Sequence, residues 1–250
     1  MNQVFRGAGS AVNRDSVKLV QQILEEADNF SISSQLKQIQ HWQSDRLLTT
    51  HQHFYQQKSF RPAMDYFRLQ LYCQTNFIER NQELIRVLPL MSKVLPQHML
   101  QMVANAAELQ LLTLKLDDRL VQQLSDSDLN AGIPDAAYAR AYGETCTLEE
   151  RAHQIDLIEQ LGFELSRLVK KPLISGLLKM AKGPAEVAGF ADIHQFLAEG
   201  FYAFKKLKKP QMFLTPILTM ERTISEFLFS GEDVDHWVQR PELTTQLGAS

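Results

Sequence analysis

Glycine is missing from a long stretch of this chain. Of eleven glycines, two stand at positions 7 and 9 and the rest from 132 onward, so residues 10–131 hold none. A β-protein of that length needs turn glycines about every 8–12 residues. Cysteine is nearly missing too. Cys73 and Cys146 are too few for a disulfide scaffold or a structural zinc site. No apolar run approaches the roughly 18 residues of a transmembrane helix. The start, Met1-Asn2-Gln3-Val4-Phe5-Arg6-Gly7-Ala8-Gly9, lacks the apolar core of a secretion signal. Neither sign of charge dominates, with 26 Lys+Arg against 29 Asp+Glu and a net charge of −3. A general nucleic-acid binder is basic, so that class is not expected. With 44% hydrophobic and 22% charged residues, disorder is not expected either. The expectation is a soluble, cytoplasmic globular protein.

What the chain does have is leucine, 35 against 24 valines and isoleucines together, which favours helix over strand. The expected fold is an all-α multi-helix bundle of about 8–10 helices, with a single domain over 15–240, flexible ends at 1–14 and 241–250, and a possible subdivision at 125–134. Asp15 or Ser16 can cap a first helix through Val17, Val20, Ile23, Leu24 and Ala27. Ser33 or Ser34 can cap a longer one reaching Phe54. Pro62 suits the first turn of the next helix, through Ala63, Phe67, Leu71 and Cys73. Pro89 and Pro96 predict a kink or break after Ile85.

Residues 98–124 carry two apolar stripes. One runs through Met99, Met102, Ala106 and Leu109, the other through Leu100, Val103, Ala107 and Leu111. A helix apolar over most of its circumference belongs at the centre of a bundle. Ser125–Pro134 reads as a loop, and Thr147-Leu148-Glu149-Glu150 as a capping box whose helix buries Leu148, Ala152, Ile155, Ile158, Leu165 and Leu168. Pro172, Gly183-Pro184 and Pro210 separate helices near 173–181, 191–207 and 211–229.

No catalytic or metal constellation emerges, no cofactor is expected, and whether the chain is an enzyme stays open, leaning against. Glu150-x-x-His153 has the spacing of a di-iron pair but no second copy, and Glu150 is already used by the capping box. None of the seven histidines has zinc-motif spacing, although an axial haem ligand needs only one. Lys205-Lys206-Leu207-Lys208-Lys209 could meet acidic lipid or RNA, but a helix C-terminus accounts for it. Phe196, Gly200 and Phe204 share a helix face, where Gly200 permits close approach by a helix or a flat ligand. Gly189 supports the same reading.

Several segments resemble a known family, the FFLEE motif proteins. They are Ala63-Met64-Asp65-Tyr66-Phe67-Arg68-Leu69-Gln70-Leu71-Tyr72, Arg86-Val87-Leu88-Pro89, Glu108-Leu109 through Leu116-Asp117, Tyr138-Ala139-Arg140-Ala141-Tyr142, Gly183-Pro184-Ala185, and Phe196-Leu197-Ala198-Glu199-Gly200-Phe201. They fall in matching order. The resemblance implies a bacterial source and a helical fold and brings no activity. At the name-giving motif the chain has Tyr66-Phe67-Arg68-Leu69-Gln70, without either glutamate. Chemistry that depends on those carboxylates is therefore not expected here.

Two functions remain. The first is a non-catalytic scaffold that binds a protein partner or itself, with no nucleic acid and no membrane insertion. The second is a helical pocket for haem, lipid or another apolar small molecule, with or without turnover. Its lining would be Tyr66, Phe67, Tyr72, Phe196, Gly200 and Phe204, with His51 or His53 as the first polar contact. The helix-rich 250-residue length and the Phe67–Tyr72 stretch are similar to those of haem-oxygenase-like bundles, an analogy of fold alone.

Overall fold

The computed structural model describes residues 17–30, 32–69, 77–231, 234–240 and 243. Asp15, Ser16, Leu71, Tyr72 and Cys73 lie outside these, as do the termini expected to be flexible, Leu243 excepted. Among the described residues there are twelve α-helices, a 3-10 turn at Trp237–Gln239 and no strand. The helices are α1 (17–28), α2 (Ser34–Thr50), α3 (Gln52–Gln56), α4 (Arg61–Phe67), α5 (Phe77–Val94) and α6 (Gln97–Gln123). After them come α7 (Asp126–Asn130), α8 (Asp135–Thr145), α9 (Leu148–Leu168), α10 (Pro172–Val187), α11 (Ala191–Lys205) and α12 (Gln211–Ser230). The short α3, α4 and α7 raise the number above the eight to ten expected.

Local chemistry explains most boundaries. The Ser33 hydroxyl accepts from the Leu36 amide at 3.0 Å and starts α2. That helix stops at Thr50 instead of continuing to Phe54, because the His51 backbone turns out of helical geometry and α3 begins anew. Pro62 sits in the first turn of α4, where its missing N–H costs nothing. Pro89 does not break α5, and the break falls at Pro96, the N-cap of α6. Residues 125–134 are not all loop. Ser125 and Asp128 satisfy each other's backbone donors and nucleate the single turn α7. Thr147 and Glu150 form the expected box at the start of α9. On α9 Ile155 is buried as expected, but Arg151 and Leu157 are buried as well and Leu148 is exposed. Gly183-Pro184 lies inside α10, which runs on to Val187.

Helix α6 packs against α2, α5, α8 and α9, and α9 against α6, α11 and α12. One core gathers Trp237, Tyr138, Leu120 and Leu228; a second gathers Phe54, Phe204, Phe213 and Leu214. Helices α1, α5 and α6 pack together through Val20, Leu24, Leu88, Leu100 and Ala104. Leu100, Val103 and Ala107 of α6 belong to these contacts, and Met99, Met102, Ala106 and Leu109 face a chamber that Val103 and Ala107 also border.

Candidate functional site: an apolar chamber beside a buried polar node

A cavity of about 430 Å³ lies between α4, α5, α6, α9, α10 and α11. Met99, Met102, Ala106 and Leu109 of α6 form one wall, and Ile158, Leu161 and Leu165 of α9 another. Phe196, Gly200 and Phe204 of α11 face them, and Ile174, Leu178 and Ala181 of α10 close the roof. Leu177 and Leu197 line the cavity and are also exposed, so it reaches the surface at α10 and α11.

Polar groups gather on one side. Arg80 is the one charged side chain among the described residues lining the cavity, and Asn81, Gln110, Thr113 and Gln40 join it. Phe77, in the first turn of α5, packs with Leu111 and Leu114 of α6, which brings Arg80 to the level of Gln110 and Thr113. The Arg80 guanidinium lies over the Phe196 ring at 4.3 Å. Burial draws its affinity for a proton down, while Tyr66 and Asp192 act in the opposite direction. The Gln110 side-chain nitrogen is buried without a hydrogen-bond partner among the described residues. Far along α5 and α6 from this group, Met91, Leu95, Met99 and Met102 supply only methyl, methylene and thioether surface.

Five of the eight residues nominated from sequence line this cavity: Tyr66, Phe67, Phe196, Gly200 and Phe204. Gly200 works by close approach. A Cβ there would stand 2.6 Å from the Tyr66 ring, so the Tyr66 phenol occupies the space a side chain would fill. Burial pushes the Tyr66 hydroxyl well above its ordinary value and keeps it protonated. Gly189 does not have the expected packing role. Nothing lies near its Cβ position, and its φ of +72° makes it the turn after α10. Tyr72 lies outside the described residues.

The histidines are elsewhere. His51 is fully buried at the joint of α2 and α3, and its Nε2 pairs with Glu221 Oε1 at 2.8 Å. His53 lies against Phe54, ring centroids 4.0 Å apart and tilted by 47°, and burial, then His51, lower its pKa. Neither lines the cavity. His153 pairs with Glu108 at 2.7 Å and Glu150 with Arg119 at 2.8 Å, so the Glu-x-x-His pair is divided between two surface contacts. No metal-ligating cluster is found among the described residues.

Sequence gave no hint of the polar node beside the chamber. A smaller space of about 90 Å³ is lined by Gln43, Arg46, Arg151, Gln154, Glu221 and Tyr142 among others, and it shares Phe67 and Ile158 with the large one. One Arg46 nitrogen donates to both Glu221 oxygens at 2.5 and 2.8 Å. Burial works to raise the Glu221 carboxyl, but Arg46 and His51 outweigh it and bring it down to about 2. Asp117 of α6 is completely buried and accepts from Gln43 at 2.8 Å and Gln40 at 3.4 Å. Burial raises its carboxyl to about 6 against the pull of those amides and Arg151. Arg151 donates to Cys146 and Gln154 at 3.2 and 3.0 Å and lies over the Tyr142 ring. Gln40 and Thr113 connect the two regions, since both line the large chamber while bonding to Asp117 and Gln154 respectively.

The fold and this chamber define an all-α bundle built around an apolar interior space. The chain belongs to the family described as a domain of unknown function, DUF8198, which matches residues 22–235. No curated protein matches the chain, and no solved structure does. The family description carries neither the FFLEE name nor a source, so that resemblance stands on its matched segments alone. No helix among the described residues is long and apolar enough to cross a membrane.

Proposed function

We propose that this protein binds one apolar or amphiphilic small molecule in the chamber between α5, α6, α9, α10 and α11. The carrying observation is the volume of about 430 Å³ lined almost throughout by aliphatic, methionine and aromatic side chains. That size falls within the ~300–1,000 Å³ of small-molecule sites. The space opens to water, so its aliphatic lining is apolar surface that a bound molecule would cover, at about 25 cal/mol per Å² removed from water. The gradient from Arg80, Asn81 and Gln110 to Met91, Leu95 and Met99 suits a ligand with one polar end and a hydrocarbon body. No histidine lines the chamber among the described residues, so this geometry favours a lipid-like ligand over haem.

A scaffold role, with a protein partner or self-association, is the second reading. Its support is the exposed apolar surface of α10, at Leu173, Met180 and Val187. It ranks second because nothing in a scaffold role calls for a hollow interior. A bacterial source, implied by the resembling segments, and a cytoplasmic location accompany the proposal.

Native mass spectrometry of freshly purified protein, paired with titration of cis-parinaric acid, a fluorescent fatty acid, tests the reading. The expected result is saturable binding of one molecule per chain, abolished by Ala106→Phe in the chamber wall with the helical circular-dichroism spectrum retained. A clean apo mass together with no saturable binding overturns it.

A further inference from the structure

Helix α10 is apolar on two sides. Ile174, Leu178 and Ala181 point into the chamber, whereas Leu173, Leu177, Met180 and Val187 recur at i, i+4, i+7 and i+14 and form one outward stripe. Leu173, Met180 and Val187 are 72, 77 and 92% exposed, and no residue of α10 is buried. The helix packs mainly on α11. Two polar contacts also hold it there: His194 Nε2 donates to the Leu178 carbonyl at 2.8 Å, and Lys205 Nζ to Ser175 Oγ at 3.4 Å. A surface helix turned wholly to water keeps its outer side polar, and this one does not.

The charge around the stripe identifies the occupant. Residues 170–209 contain eight lysines and three acidic residues, a net charge of +5 within a chain whose net charge is −3. All eight lysines are exposed. Lys170 and Lys171 precede the helix, Lys179 borders the stripe on its polar side with Lys182 and Glu186 beyond it, and Lys205 reaches Ser175 of that polar side from α11. An apolar stripe bordered by lysines along one side and at its start suits a helix lying in the interface of an anionic bilayer, where the stems reach along the apolar surface and the ammonium groups meet lipid phosphates.

We propose that the outer face of α10 docks on an anionic lipid bilayer, placing the mouth of the chamber at Leu177 and Leu197 against the source of its ligand. Docking belongs to the surface and does not require a filled chamber. The delivery of cargo rests on the ligand reading above.

Co-sedimentation of the full chain with vesicles tests it, comparing pure phosphatidylcholine with a 3:1 mixture of phosphatidylcholine and phosphatidylglycerol. Binding to the anionic vesicles is expected to exceed binding to the neutral ones about tenfold or more and to fall in 0.5 M NaCl. The double variant Leu173→Asp, Met180→Asp alters only outward side chains. It is expected to lose vesicle binding at least about tenfold while keeping its circular-dichroism spectrum and its parinaric acid titration. A wild-type chain that stays in the supernatant, or a double variant that pellets equally well, overturns the proposal. So does a dimer that the double variant dissociates when no vesicle binding is seen, since the stripe would then be covered by a second copy. Loss of parinaric acid binding by wild type bears on the chamber and leaves the docking result standing.

Discussion

Buried charge is where individual residues matter most in this protein. Arg46, Glu221 and His51 form one group and Asp117 with Gln40, Gln43 and Arg151 another, all inside the bundle. The two carboxyls respond to pH in opposite directions. The depressed Glu221 contributes stability above its unfolded value of about 4.5, lost as pH falls towards 2. Asp117 is raised, so the folded chain holds its proton more tightly than the unfolded chain. Its effect is therefore a loss of stability as pH rises from about 4 to about 6, of order 3 kcal/mol when complete. Asp117→Asn removes this titration and leaves Glu221 in place. Urea midpoints measured from pH 4 to about pH 8 are expected to show the variant gaining on the wild type up to about pH 6 and keeping a constant margin above about pH 7. Parallel profiles would refute the assignment. None of this was legible in the sequence, where Arg46, Asp117 and Arg151 look like ordinary solvent-facing positions on amphipathic helices. Burial of an ion depends on which partner arrives from a distant helix, here Glu221 for Arg46 across 175 positions.

At the scale of elements, capping and proline chemistry placed most helix ends, because those signals act within a single turn. That reasoning failed at two prolines: Pro89 lies inside α5, and Gly183-Pro184 inside α10. The contact between α4 and α11 was half visible. Phe196, Gly200 and Phe204 shared a face, yet the sequence did not say that Tyr66 would fill the space above Gly200. Gly200→Ala puts a methyl group into that ring. The variant is expected to lose about 1–3 kcal/mol in chemical denaturation. The displaced Tyr66 ring has the chamber as its free space, so parinaric acid affinity is expected to fall as well. A variant with unchanged stability would show that the two helices separate freely.

For the whole molecule, the chamber links stability to ligand. A ligand that binds only the folded state stabilises it by about 2.7 kcal/mol at a hundred times its dissociation constant. For a chain of this length each kcal/mol is worth about 2–4 °C in Tm. Scanning calorimetry is therefore expected to show Tm rising by roughly 5–10 °C with parinaric acid at that excess. Ala106→Phe, with its chamber wall filled, should show no rise. An equal rise in both would place the ligand elsewhere.

By itself the sequence determined the all-α class, the long central α6 and the aromatic face of α11, because helix period, caps and glycine content are properties of neighbouring residues. It also named five residues that meet at the chamber. Only the tertiary structure decided that the Met99, Met102, Ala106 and Leu109 stripe of α6 faces open space instead of another helix. Apolar periodicity shows that a face must leave water, but the arrangement of distant helices determines whether protein or a cavity covers it. The same holds for α10. Its sequence reads as one amphipathic helix, and packing alone divided its apolar arc between an interior roof and an exposed stripe.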